Sequence, residues 1–285
     1  MTSVKNRVEI AACLLAAFVV IAWPQPLTGV WDPQADRPQA ALDLILDTYV
    51  RDGLVYYRAL RSDRSKLDGY ATSIGTAQVD RLKRDEQLAF WLNAYNALVL
   101  RTVIDHYPIQ GTSKSYPAHS IRQIPGAFER LPHKVAGRML TLDQIEQTVL
   151  PPFHDPRVYL ALGRGAVGSG RLRSEVYAAE TLEAQLADQA SECISHSTCV
   201  QVDRGANKLI ASSVFSWREM EFTGAYADTA PAVFASRSPI ERALIAFVEP
   251  KLLTTERELL AKNAFQVSYL PFDWSLNDLT GRGGR

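Results

Sequence analysis

Three guanidinium groups fall within ten residues of this chain, at Arg164, Arg171 and Arg173, inside the stretch "GRGAVGSGRLR". If they converge, together with the N–H groups of a glycine-rich loop, they suit a carboxylate or a phosphate-bearing ligand. If they splay, they are ordinary surface charge. Ser169 sits among them, and a serine becomes a nucleophile only when a positioned base takes its proton. Glu146, upstream, is the second candidate for chemistry. Buried, its carboxyl would rise towards a useful acid–base range and could work on a bound water. Exposed, it would face solvent or pair with Arg157 or Arg173. Asn93 and Asn96 lie three apart on one face of an apolar helix, where they either line a pocket against the glycine loop or tie neighbouring loops to the helix.

The glycines Gly163, Gly165 and Gly168 fit G-x-G-x-x-G, yet the surroundings do not suit a nucleotide. Gly168 is followed by Ser-Gly-Arg-Leu-Arg before any helical pattern begins, so no helix N-terminus is aimed at a pyrophosphate. Glu183, about twenty residues on, falls inside an amphipathic helix instead of at a strand end. No G-x-x-x-x-G-K-[ST] and no G-x-S-x-G elbow is present. The five histidines, at 106, 119, 133, 154 and 196, lack metal-ligand spacing, so neither a metal nor a cofactor is expected. Cys193 and Cys199 flank a polar turn and would form a local disulfide in an oxidising compartment.

The elements that must position these residues read as follows. Ala40 to Tyr49 is helical, and "GLVYYRAL" is an extended or turn segment. "DEQLAFWLNAYNALVLRTVIDH" is apolar nearly all round, as a helix buried in a large core must be, and Pro108 ends it. Residues 133 to 141 form a hairpin turning at Ala136-Gly137. Thr141 and Gln144 make a capping box for a short helix that Pro151 and Pro152 close. "RVYLAL" is a strand candidate leading into the glycine loop. Leu182, Leu186, Ala190 and Cys193 share one helical face. "CVQVD" and "KLIAS" make a second hairpin around Gly205. Ser238, Pro239 and Glu241 open a further helix. "FQVSYLPFDWSLN" is a strand running into an aromatic turn, and Trp91, Trp217 and Trp274 are core anchors. Helices and hairpins mix without a regular β-α-β rhythm, which predicts α+β: a single compact domain with a buried central helix and short β-hairpins, behind an N-terminal apolar segment.

The chain has 285 residues, 47% of them hydrophobic, with 31 basic and 31 acidic side chains. That balance argues against nucleic acid, which needs an excess of Lys and Arg on one face. Lys5 and Arg7 precede the apolar run "IAACLLAAFVVIAW", of signal-peptide length. The expected organisation is a signal peptide or membrane anchor over 1–23, a proline-rich linker over 24–38, a folded domain over 39–278 and a flexible tail over 279–285. The remainder is then periplasmic, tethered to the inner membrane or released after cleavage, and meets the membrane only through its N-terminal segment.

Five blocks occur in order: "LAFWLNAYNALVL", "LTLDQIEQTVL", "DPRVYLALGRGAVGSGRLRSEVYAAETLEAQL", "SSVFSWREMEF" and "YLPFDWSLN". Together, over roughly residues 40 to 277, they resemble the domain of unknown function 547 family. The resemblance implies no established activity. It does imply Asn-Cys-Gly-Ala-x-Ser-Cys-Pro-Pro-Leu-Arg at the loop, where this chain has Gly163 for the Asn, Arg164 for the first Cys and Gly168 for the Ser. Ser169 replaces the second Cys, Gly170 and Arg171 replace the prolines, and Leu172 and Arg173 are kept. The family's Ile-Glu-His keeps Glu146 but has Gln147 for the His, and its Arg-Val-His-Phe-Ala-Leu has Tyr159 for the His. The glycine pattern is therefore what remains of a cysteine loop. Two functional readings stand: a non-catalytic binding or scaffold domain, whose partner would be an anionic small molecule met through the 163–173 loop or a periplasmic protein, and a hydrolase or transferase using Ser169 or Glu146.

Overall fold

The computed structural model describes residues 38–281. The expected signal or anchor, all of the linker but Pro38, and the last four residues lie outside that range. Among the described residues no helix is long and apolar enough to cross a membrane. The fold is mixed helix and sheet. Helices α1 (Pro38–Tyr49), α2 (Tyr57–Ser62) and α3 (Ser65–Ile74) precede the long α4 (Arg84–His106). A two-stranded ladder of β1 (Val50–Arg51) and β2 (Leu54–Val55) separates α1 from α2. Strands β3 (His133–Val135) and β4 (Arg138–Leu140) form the first expected hairpin, with Ala136 and Gly137 both at positive φ, 49° and 73°, as a tight hairpin turn requires.

Helix α4 organises the core because its apolar residues surround the whole axis: every residue from Leu88 to Leu100 is buried. The backbone N–H of Lys83 donates to the Glu86 carboxylate at 2.8 Å, satisfying one orphan donor at the helix start. The short helix α5 (Leu142–Gln144) opens on the Thr141–Gln144 capping box and widens into a turn of π-helix over Ile145–Val149. Glu146 and Gln147 ride on that wider turn, a distortion that recurs at functional sites.

"RVYLAL" is not a strand. Residues Pro156–Leu160 form a 3₁₀ turn, which the Asp155 carboxylate caps by accepting from the Arg157 N–H at 3.0 Å, with Pro156 pre-set at the first position. A short run buried on every side looks alike in either conformation, and here the Asp-Pro start decides. Likewise only Leu54–Val55 of "GLVYYRAL" is extended, and Tyr57 onward belongs to α2.

Helix α6 (Leu182–Ser195) follows the glycine loop and carries Cys193, joined in a disulfide to Cys199. Beyond it, β5 (Val200–Asp203) pairs antiparallel with β6 (Lys208–Ser212), and β6 pairs in parallel with β7 (Gln266–Leu270), giving the order β5-β6-β7. Between β6 and β7 run α7 (Ser213–Trp217), α8 (Glu219–Tyr226), α9 (Pro239–Val248) and α10 (Thr254–Ala261). Of the three expected tryptophan anchors, Trp91 is buried and Trp274 half-buried, but Trp217 is 45% exposed. It closes α7 on the surface, where its ring lies 4.9 Å from Phe272.

Candidate functional site

Two buried amides on α4 hold the glycine loop and its exit. The Asn93 side chain donates to the Tyr177 carbonyl at 2.8 Å and accepts from the Tyr177 N–H at 2.9 Å. Asn96 donates to the Ala161 carbonyl at 3.2 Å and accepts from the Gly163 N–H at 2.8 Å. Both thus bridge helix to backbone as fixed struts. The loop's own N–H groups also turn inward: Val167 and Gly168 donate to the carbonyls of Ser275 and Asp273, each at 2.8 Å, and Ser169 donates to Ala166 at 3.1 Å. These donors are spent on the fold, unlike those of an open anion nest. Two glycines have steric reasons for being there. A Cβ on Gly170 would lie 1.6 Å from the Leu160 carbonyl oxygen, and one on Gly168 would lie 2.6 Å from the Asp273 nitrogen.

Beneath the loop lies a closed charge network centred on Glu146. Arg164 donates to its carboxylate through Nη2 at 2.6 Å and Nε at 3.2 Å, Arg218 through Nη2 at 2.6 Å, and the Tyr95 hydroxyl at 3.1 Å. The side chains of Glu146, Arg164 and Arg218 are only 7%, 3% and 6% exposed. Burial pushes the Glu146 carboxyl up, but the charges and hydrogen bonds of Arg164 and Arg218 overcome it and hold the group down at about 2. Glu146 is a fixed anion, not a carboxyl tuned for proton transfer. Its partners are Arg164 and Arg218, neither of the two arginines expected from the sequence. Burial, and next the Glu146 charge, keeps the Tyr95 phenol well above its usual range.

The network continues outward from Arg218. Its Nη1 donates to the Gln147 side-chain oxygen at 3.0 Å, and its guanidinium lies 4.5 Å from the centre of the Tyr159 ring. The Tyr159 hydroxyl donates to Glu221 at 3.1 Å, while Arg164 Nη1 donates to the Tyr159 carbonyl at 3.2 Å. Arg164, Gln147 and Tyr159 are three of the positions at which the sequence departs from the pattern it resembles, by one cysteine and two histidines. The fold gathers all three around one carboxylate and one guanidinium. A cleft of about 630 Å³ lies outside them, with Tyr159 and Glu221 in its lining beside Pro151, Pro152, His154 and Met220.

The other candidates stand apart from this centre. Arg157 lies 2.7 Å from both Asp155 and Glu183, Arg173 pairs with Glu175, and Arg171 reaches Glu192 at 2.8 Å and Asp52 at 3.0 Å. The loop arginines therefore splay onto different carboxylates instead of converging. The Ser169 hydroxyl accepts the Arg164 N–H at 2.9 Å, closing the loop on itself. Among the described residues no histidine or carboxylate hydrogen-bonds to it. A cleft of about 490 Å³ runs past Ser169, Arg171, His196 and the disulfide. Arg218 and Glu221 were missed from sequence, although both lie in the quoted block "SSVFSWREMEF". The available signal was an arginine set among aromatic and apolar residues, with Glu221 three residues on as an ion-pair partner at 3.7 Å.

No curated protein and no solved structure matches the chain. Residues 79–194 match a family model described as "Protein of unknown function, DUF547", a narrower span than the 40 to 277 suggested by the blocks. It takes in α4, Glu146, the whole glycine loop and most of α6, but not Arg218. The match over that segment supports membership of the DUF547 family.

Proposed function

We propose that this chain is an exported, non-catalytic binding or scaffold domain of its family, in which the reactive positions have become structural. One observation carries the reading. Glu146, the retained acidic residue, is locked as a buried anion by Arg164 and Arg218, and Gln147 and Tyr159 complete the same network. A carboxyl held at about 2 stays ionised near neutrality and is poorly matched to general acid–base work there. Ser169 supports the same reading, since its hydroxyl serves as an acceptor for the loop backbone and, among the described residues, has no base hydrogen-bonded to it. An anionic ligand at the loop would meet Arg171, the most exposed of its arginines, and would compete there with Asp52 and Glu192.

The test is covalent labelling. The full chain and its Ser169→Ala variant are exposed to a broad serine-reactive probe, and intact mass is recorded beside a folding check by circular dichroism. The expected result is no adduct on folded protein. A single adduct that disappears in Ser169→Ala would overturn the proposal and make the chain a serine-dependent hydrolase or transferase.

A further inference from the structure

The three-stranded sheet has an unfinished edge at β7. In its parallel pairing with β6, the Gln266 N–H donates to the Asn207 carbonyl at 3.0 Å, and the register sets Leu209 beside Val267 and Ala211 beside Tyr269. The N–H and C=O of one strand residue point to the same side, and the side alternates along the strand. Gln266, Ser268 and Leu270 therefore face β6, and Val267 and Tyr269 face away. The Leu270 carbonyl confirms the phase, because it accepts the Ser213 hydroxyl that follows β6. Among the described residues, the N–H and C=O of Val267 and Tyr269 have no hydrogen-bond partner.

This open window is short and bounded. Upstream, Arg237 Nη2 donates to the Phe265 carbonyl at 2.8 Å, closing the preceding outward position. Downstream, the next outward residue is Pro271, which has no N–H to offer. Between them the strand reads Gln-Val-Ser-Tyr-Leu, and none of the five is buried. Proteins commonly blunt such an edge with lysine, proline or a bulge on the strand itself, and β7 carries none of these. Its free groups are arranged symmetrically about Ser268.

We propose that a second copy of this chain completes the edge, with the two β7 strands antiparallel across a two-fold axis at Ser268. Val267 of each copy then faces Tyr269 of the other as a hydrogen-bonded pair, and all four free groups of each strand are satisfied. Ser268 meets Ser268 of the partner subunit as the close, non-hydrogen-bonded pair. Such a contact is isologous and closes on itself. The boundaries favour a second copy over a long extended peptide: a longer strand would run into Arg237 and Pro271, whereas self-pairing needs the window and nothing more. The uncharged strand also sets no like charges opposite one another across the axis.

The experiment uses the full chain in a mild non-ionic detergent, in a Cys13→Ser background. The Ser268→Cys variant, under gentle oxidation, should run at twice the chain mass on a non-reducing gel and return to single mass with reductant. Gln266→Cys lies on the same strand face but opposes Leu270 of the partner subunit, so it should crosslink far less. Sedimentation velocity across a hundredfold dilution should show the unaltered chain passing from dimer to monomer. Ser268→Lys, with an unchanged circular dichroism spectrum, should stay monomeric throughout. A single-chain mass at every concentration would overturn the pairing. So would Ser268→Cys crosslinking no faster than Gln266→Cys, a result that stands even if the lysine variant fails to fold.

Discussion

Arg164 and Arg171 leave the same loop, seven residues apart, and reach opposite environments. The Arg164 side chain is 3% exposed and shares Glu146 with Arg218, whereas that of Arg171 is 47% exposed and spans two surface carboxylates. Both make short, well-directed ion pairs. The difference lies in what water can do when a pair is broken. At the rim, solvent takes the place of the lost partner, so the pair contributes little. In the interior nothing does, so each member depends on the others. The same residue type is therefore a fixed part of the fold at one end of the loop and a replaceable contact at the other.

The sharpest way to break this contrast is Arg164→Ala. It leaves Glu146 buried with one guanidinium of two and should cost about 3–5 kcal/mol in chemical denaturation. A loss under about 1 kcal/mol, the range of an exposed pair, would mean that the network is wet and the contrast false. Next is the acid response. Glu146 sits at about 2 in the folded chain against an ordinary 4.5, so it binds fewer protons folded than unfolded in that interval. Its contribution is complete above about pH 4.5 and is lost as pH falls through about 2. Stability of the unaltered chain should therefore drop across that window by on the order of 3 kcal/mol more than that of Glu146→Gln. Parallel curves for the two proteins would contradict the assignment.

The disulfide gives an intermediate effect on the rim side. Cys193 and Cys199 close a short loop with a separation of six residues. Replacing both with serine should cost about 2 kcal/mol, read as a lowered denaturation midpoint. The smallest effect is expected for Arg171→Ala, within about 1 kcal/mol of the unaltered chain and further reduced by salt. A larger, salt-insensitive loss there would place Arg171 in the interior class and erase the comparison.

Much of this architecture was legible because local chemistry declared it. Helix α4 was readable from apolar residues on every face, the β3–β4 turn from Ala136-Gly137, and the start of α9 from Ser238, Pro239 and Glu241. The Cys193–Cys199 bridge followed from spacing and an expected compartment. The site was legible only in its parts. Glu146 and Arg164 could each be singled out, but their union could not, because an ion pair between residues 18 apart leaves no periodic trace. Arg218 was harder still: its separation of 72 residues from Glu146 is spanned by the path of the chain through the core, not by any local pattern. "RVYLAL" failed for the converse reason, since a run buried on all sides suits strand and 3₁₀ turn alike until Asp155-Pro156 is weighed.

The position of Arg218 separates two units that are often taken as one. The segment shared with the family ends at residue 194, yet the guanidinium that completes its central charge cluster comes from beyond that limit. A polypeptide cut there would keep Glu146 and Arg164 and lose the third member of the cluster. The matched segment is thus smaller than the set of residues that share its charge cluster, and residues 273 to 277, farther on still, return to clasp the glycine loop.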